Sequence, residues 1–368
     1  MSSSSPYTAK WGIMACGSIA QKFTKDLLLD PTSRQVKDVK HEVVAVASSS
    51  SVQKAQDFVK ETGCPSSTQA YGSYEELVKD PKVQIVYVAS PHTFHYENTL
   101  LCLENGKSVC CEKPFTINAE QTKHLTQVAK KNNLFLMEAV WTRFFPVTLA
   151  LQKAIHQDRI LGKLIRVKAD LSKQFKFDAK HRLYNPDLGG GALLDLGLYP
   201  TTWLMMTLFS DPENGKSLPS SISSSMIKVP QTGVDAHSVA TLVFDKARTI
   251  GTLSCTLEVE GLYNDHHTII QGEKGTITVQ GQPYRPEGFT VYLNDKDGNP
   301  GQPQKHNFDI PGQGMFWEAD ACARDLRDGK IEDDTCSWTD SIATMTVLDT
   351  VRKQNNFSYG DKLEGTRT

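Results

Sequence analysis

The sequence predicts an α/β domain built on a doubly wound parallel sheet, joined to an α+β domain whose sheet is mostly antiparallel and open. Three observations predict it. In the first 130 residues, apolar runs without polar alternation are separated by stretches of helical apolar spacing. Parallel strands covered on both faces read that way. Beyond residue 160 the apolar runs alternate with polar residues, and turn residues rather than helices separate them, the pattern of an antiparallel sheet. A glycine-bearing turn at 12–20 lies between the first strand and the first helix.

The elements follow in order. Residues 11–15 are a short apolar run, and 19–29 carry helical spacing. A second run at 43–47 leads into a helix at 52–61, then a short helix at 74–78 and a strand at 83–89. The helix at 94–104 stops at Asn105-Gly106, a C-terminal signal because both residues tolerate left-handed backbone. A strand at 108–111, a helix at 119–131 and a strand at 134–137 complete this half. In the second half, 164–171, 237–244, 249–257, 275–279 and 289–293 alternate, with turns at Asp245-Lys246, at Glu273-Lys274-Gly275 and at 297–301. One helix at 193–208 interrupts them, and helices at 316–327 and 338–353 close the chain.

Composition excludes several classes. Of the 368 residues 39% are apolar and 22% charged, values of a globular chain and not of a disordered one. Forty basic against forty-two acidic side chains leave a net charge of −2, without a basic stripe, so no nucleic-acid partner is expected. No apolar run approaches the roughly 18 residues of a membrane span. The eight cysteines form no C-x-x-C pair and have no histidine at zinc-like spacing, so they read as reduced, metal-free and mostly buried. The serine-rich start lacks a basic and an apolar region, which makes residues 1–8 a disordered tail and not a signal peptide. The C-terminus ends in no retention signal, and the cytoplasm is the expected compartment.

The turn at 12–20 reads Ala15-Cys16-Gly17-Ser18-Ile19-Ala20 where a dinucleotide fingerprint reads G-x-G-x-x-G/A. Such a turn aims backbone N–H groups and a helix N-terminus at a pyrophosphate, and its place at the start of a βαβ unit raises it above an ordinary structural turn. The second strand ends in Ser48-Ser49-Ser50-Ser51, where an NAD enzyme places an acid on the ribose 2′-hydroxyl. No carboxylate is there to repel a 2′-phosphate, and Lys54 lies one turn on. NADP is the expected cofactor. A serine of this run also suits the N-cap of the next helix, and the two roles are compatible.

Cys111-Glu112-Lys113-Pro114 follows a parallel strand at its C-terminal edge, where ligands bind in such sheets. Gly189-Gly190-Gly191 opens a helix that carries Asp195 and Tyr199 four residues apart, so both side chains sit on one face. An aromatic and arginine cluster, Trp141 to Phe145, suits stacking on a sugar or aromatic ring, or packing between domains. Ser90-Pro91-His92-Thr93-Phe94-His95 and Met137-Glu138-Ala139-Val140-Trp141-Thr142-Arg143 complete the motifs.

These motifs, in this order from about residue 10 to 355, resemble the glucose–fructose oxidoreductase / inositol dehydrogenase (Gfo/Idh/MocA) family, and within it the NADP-dependent D-xylose 1-dehydrogenases and dimeric dihydrodiol dehydrogenases. Ala15 stands where the family loop has its first glycine, and Ser49 where many NADP-using members have arginine. The resemblance implies a Rossmann dinucleotide-binding domain at 9–145, an α+β substrate and dimerisation domain at 146–335, and a C-terminal helix and tail at 336–368. It implies Lys113 and Tyr199 as the catalytic pair with Asp195 beside them, and a cis peptide between Lys113 and Pro114. The cofactor side would take Ala15 to Ile19, Ser48, Ser49, Ser50, Lys54, Ser90, Pro91, His92, His95, Glu112, Lys113, Trp141 and Arg143. Substrate would meet Lys113, Trp141, Phe144, Phe175, His181, Asp195 and Tyr199. The implied activity is oxidation of the C1 hydroxyl of an aldopyranose, D-xylose foremost, by a homodimer paired through its C-terminal sheet. Oxidation of a trans-dihydrodiol is the alternative, and an NADP-sensing regulator is the reading outside the enzymes.

Overall fold

A computed structural model describes residues 5–261 and 267–367. In chain order the strands and helices are β1 (Tyr7–Met14), α1 (Ser18–Leu27), β2 (Val39–Ala47), α2 (Val52–Thr62), β3 (Gln69–Tyr71), α3 (Tyr74–Lys79), β4 (Ile85–Val88), α4 (His95–Glu104), β5 (Ser108–Glu112), α5 (Ala119–Asn132), β6 (Leu136–Ala139), α6 (Pro146–Gln152), β7 (Leu164–Ser172), α7 (Leu198–Leu204), β8 (Ser221–Lys228), β9 (Asp235–Phe244), β10 (Thr249–Thr256), β11 (Thr268–Gly272), β12 (Gly275–Gln282), β13 (Arg285–Leu293), β14 (Gln304–Asn307), α8 (Phe316–Arg327), α9 (Trp338–Gln354) and α10 (Asp361–Glu364). The chain divides into two compact units, one of Met1–Phe144, Ile310–Ser341 and Thr366–Thr368, the other of Phe145–Asp309 and Ile342–Gly365.

The first unit holds a six-stranded parallel sheet in the order β3-β2-β1-β4-β5-β6. This is the doubly wound arrangement with its strand-order reversal between β1 and β4. Its strands read as unbroken apolar runs because both faces are covered, and every residue of β4, β5 and β6 is buried. On one face Trp11 packs edge-on to Phe23, and Phe23 stacks on Tyr87 with ring centroids 3.6 Å apart. Leu77, Tyr96, Leu100, Leu125 and Ala129 fill another core cluster with β-strand side chains. The late helix α8 belongs to this unit and packs against β1 and β2. Its start is fixed by Asp26, whose carboxylate accepts the backbone N–H groups of Gln313, Gly314 and Met315 at 2.8–3.0 Å.

The second unit is built on an eight-stranded sheet in the order β14-β13-β12-β11-β7-β10-β9-β8. It is antiparallel except for the central β7–β10 pair, which runs parallel. Val167, Ala169, Leu171, Leu253, Ile270 and Ile277 form its buried face, and α7 lies across β7 and β10. Gly251 permits the close approach, since a Cβ there would stand 2.9 Å from Leu204 Cδ1.

The structure departs from the sequence reading in several places. Residues 1–4 of the expected tail lie outside the described residues, but Tyr7 already pairs with Val39 and donates to the Asp38 carbonyl, so ordered structure starts inside that tail. Strands β3, β8, β11 and β14 were not expected. β8 is an edge strand of sequence Ser-Ile-Ser-Ser-Ser-Met-Ile-Lys, and β14 is exposed throughout. The edge positions of β3, β8 and β14 bury little and so need no apolar alternation, whereas β11 lies between β12 and β7 and spans only five residues. The helix expected at 193–208 is three segments, with π-helical turns Leu193–Gly197 and Met205–Phe209 flanking α7.

Candidate active site

Each unit carries its own set of candidate side chains. In the first unit β1 ends at Met14, and Ala15 turns the chain with a left-handed φ of +85° while its N–H donates to the Ala47 carbonyl. A Cβ in that region costs roughly 1–2 kcal/mol, which is why the family loop favours glycine there. Gly17 caps α1 without any side-chain hydrogen bond, and a Cβ built on it would meet nothing within 4 Å. The first turn of α1 therefore presents its N–H groups to open space, which fits a pyrophosphate. The Cys16 thiol donates to the Ala47 carbonyl at 3.6 Å, and burial pushes its pKa up to about 11 against the charge of Lys54. Lys54 is thus close enough to act on the phosphate turn, though its side chain is exposed.

The four serines after β2 have distinct places. Ser51 is the N-cap of α2 and accepts the Lys54 N–H. Ser48 is buried, and its hydroxyl accepts the Ser50 N–H at 3.2 Å and shares a 2.9 Å bond with the Ser50 hydroxyl. Ser49 hydrogen-bonds Tyr74, against the burial that raises that phenol's pKa. No acid stands at this strand end.

At the end of β5 the Lys113–Pro114 peptide is cis. Glu112 is buried, accepting the Lys113 N–H on Oε2 and the Tyr87 hydroxyl on Oε1. The next turn is fastened by Glu138, which accepts the Phe115 N–H at 3.0 Å and the Ser341 hydroxyl at 2.6 Å. Burial raises the pKa of Glu138, and the Ser341 bond and the Arg143 charge oppose it. Trp141, Arg143 and Phe144 form one buried 3-10 turn after β6. Arg143 reaches the Thr335 carbonyl at 3.5 Å, and its Nε has no hydrogen-bond partner among the described residues.

After β4, Ser90 and Pro91 lead into a 3-10 turn that carries His92. His95 is 1% exposed and spans two carbonyls, Pro114 at 2.7 Å and Ser90 at 2.8 Å. Its ring is enclosed by the fold.

In the second unit Asp195 sits on the first π-turn and Tyr199 in the following α-turn, both buried. Arg182 grips Asp195 with two bonds of 2.9 and 3.2 Å. No periodicity marks Arg182, and sequence reasoning missed it. Tyr199 packs against Tyr284 with centroids 5.6 Å apart. Phe175 and the exposed His181 stack at 6.2 Å on the loop before this helix. The helix start is anchored by Asp235, which accepts the Leu193 N–H at 2.7 Å. Gly191, at φ +125°, leaves the room, since a Cβ there would lie 2.1 Å from Asp235 Oδ1.

Comparison with known proteins agrees with this architecture. Residues 9–140 match the oxidoreductase family, NAD-binding Rossmann fold, and residues 149–278 match the Gfo/Idh/MocA C-terminal domain. The chain is 44% identical to the D-xylose 1-dehydrogenase (NADP(+)) of Hypocrea jecorina, over 98% of this chain and 95% of that one. It is 34% identical to the trans-1,2-dihydrobenzene-1,2-diol dehydrogenase of Danio rerio, over 95% and 98%. Among solved structures, a 3-ketoreductase from Actinomadura kijaniata in complex with NADP and TDP-benzene superposes with a TM-score of 0.76 at 22% identity, covering 94% of this chain and 97% of that one. A levoglucosan dehydrogenase in complex with NADH and levoglucosan gives 0.81 at 16% identity, over 95% and 97%. The doubly wound sheet, the uncapped turn at Gly17, the cis Lys113–Pro114 peptide and these matches along both halves make the chain a member of the Gfo/Idh/MocA family of oxidoreductases.

Proposed function

We propose that the protein is an NADP-dependent dehydrogenase that oxidises the C1 hydroxyl of an aldopyranose, D-xylose foremost, to the 1,5-lactone. The 44% identity with the Hypocrea jecorina enzyme over nearly the whole chain carries this reading. When bound, NADP+ accepts a hydride at its nicotinamide ring. The chain's own residues must hold the sugar and take the proton that leaves the hydroxyl. Tyr199 takes that proton, and Lys113 supplies the positive charge that makes a tyrosine usable as a base. Asp195, with Arg182 bound to it, orients the substrate hydroxyl. The 34% identity with dihydrodiol dehydrogenases supports a second reading, a diol substrate handled by the same residues. Absorbance of reduced cofactor, followed with D-xylose, D-glucose and a trans-dihydrodiol, decides between them. Binding of NADP+ without reduction by these or a wider sugar panel would instead favour a sensor.

NADP+ is expected over NAD+, because the end of β2 carries hydroxyls and no acid, and Lys54 acts electrostatically on the adjacent turn. Lys54→Glu should cut kcat/KM for NADP+ by about 10-fold and change that for NAD+ little, since it sets a carboxylate against the 2′-phosphate. A wild-type kcat/KM for NAD+ equal to that for NADP+ would reject the assignment.

The same reading makes the protein a homodimer of the cytoplasm. Its outward sheet face carries Ile227, Val239 and Ile250, each more than 40% exposed, among threonines and serines. An apolar stripe on a broad sheet suits burial against a second copy. Light scattering at micromolar concentration should give twice the 40.8 kDa chain mass, and a monomer mass would refute it. The cysteines are free thiols, six of them buried, which suits a reducing compartment.

A further inference from the structure

We propose that His95 is a positioning residue for Lys113, a buried brace lodged between the turn after β5 and the loop after β4; this rests on the role given to Lys113 above. The brace is visible in its contacts. Nδ1 lies 2.7 Å from the carbonyl of Pro114, the residue after Lys113, and Nε2 lies 2.8 Å from the carbonyl of Ser90. On the other side of Lys113, its own N–H is held by Glu112 Oε2 at 3.0 Å, and Glu112 is in turn held by the Tyr87 hydroxyl. The backbone carrying Lys113 is therefore fixed before and after that residue. His95 supplies the part that links it to a neighbouring strand end.

Both partners of the imidazole are carbonyls, which only accept. A neutral ring donates to one and an imidazolium to both. Burial, aided by the charge of Lys113, pushes the pKa down to about 4, against the two carbonyl contacts. Only the protonated ring hydrogen-bonds both segments; the neutral ring holds one carbonyl and packs against the other, so the positioning rests on one hydrogen bond and on the fit of the ring between the two segments, not on its titration. The Ser90 loop is itself tied, since the Ser90 hydroxyl accepts the Asn98 side chain at 2.9 Å. Freed from His95, the Pro114 carbonyl would seek other donors and the Lys113 turn would shift. A displacement of about 1 Å at a reacting group costs on the order of 100-fold in rate.

The test is steady-state kinetics of the full chain with NADP+ and D-xylose. His95→Leu fills the space without donors, and kcat should fall by about 10- to 100-fold while KM for NADP+ stays within about 2-fold. His95→Gln offers an amide with two N–H groups and should recover kcat to within about 3-fold of wild type. His95→Asn, too short to span both carbonyls, should remain at least about 5-fold below His95→Gln, which keeps the comparison usable if the leucine variant does not fold. A kcat within about 2-fold of wild type for His95→Leu, with only the melting temperature lowered, would make the residue mere packing and overturn the proposal. So would a loss confined to KM for NADP+, which would mark a cofactor contact. Lys113→Met is run alongside. If it keeps wild-type kcat the role of Lys113 fails, whereas a dead Lys113→Met with an indifferent His95→Leu overturns the brace alone.

Discussion

Tyr199→Phe is expected to lower kcat by about 10²- to 10⁴-fold, the usual worth of a general base, while affinity for NADP+ changes little. The substitution keeps the ring that packs on Tyr284, so it isolates the hydroxyl. A free tyrosine titrates near ~10, too high for a base at neutral pH, and a nearby cation lowers that value by stabilising the phenolate. Lys113→Met should therefore reduce kcat and move the rising limb of the pH–rate profile to higher pH. If both side chains act on one proton, the double variant should be only slightly worse than Tyr199→Phe, because groups that work as a unit lose their effect once. Near wild-type kcat for Tyr199→Phe at every pH would remove tyrosine from the mechanism. Losses that multiply in the double variant would mean that the two residues serve separate steps.

How much of this was readable depends on what each residue buries. β1, β2, β4, β5 and β6 were legible because both faces of a parallel sheet are covered, which forces unbroken apolar runs such as Ile85–Val88. β8 was hidden because an edge strand of serines buries almost nothing. The motif around Lys113 was legible as a strand end followed by proline, but its supports were not. Glu138 and Glu318 read as ordinary charged residues, and both are fully buried. Glu138 is held by partners from distant segments, whereas Glu318, with neither carboxylate oxygen hydrogen-bonded among the described residues, has its pKa driven well upward by burial. Arg182 was hidden for a related reason. It meets Asp195 from a loop, and pairing across a loop leaves no period in the sequence.

The largest expected loss of stability lies away from the chemistry, at Asp320 on α8. Three segments meet there. Arg34 donates to both carboxylate oxygens at 2.7 Å, and His41 Nε2 donates to Oδ1 at 2.8 Å. Trp11 fixes the tautomer, because its indole N–H donates to His41 Nδ1 at 3.1 Å and leaves the proton on Nε2. The three paired side chains are at most 1% exposed. Burial alone would raise the Asp320 pKa, but the bonds from Arg34 and His41 outweigh it and hold the carboxyl below its ordinary value of 3.8. Burial lowers the His41 pKa and favours the neutral ring, so the full positive charge bonded to Asp320 is the Arg34 guanidinium, with Arg324 acting on the carboxylate without a bond to it. Asp320→Ala strands that guanidinium in the core, at a cost of about 3–5 kcal/mol. For a unit of this size that corresponds to a melting temperature lower by roughly 6–20 °C. The folded-state pKa is depressed, so the stabilisation is complete above the unfolded value of 3.8 and is lost as pH falls through the lower folded one. The gap between wild type and Asp320→Ala should accordingly narrow in acid. Arg34→Met combined with Asp320→Leu removes both charges and should be more stable than Asp320→Ala alone, because no unpaired ion remains. Equal melting temperatures for Asp320→Ala and wild type at pH 7 would show that the network holds α8 far more loosely than its geometry implies.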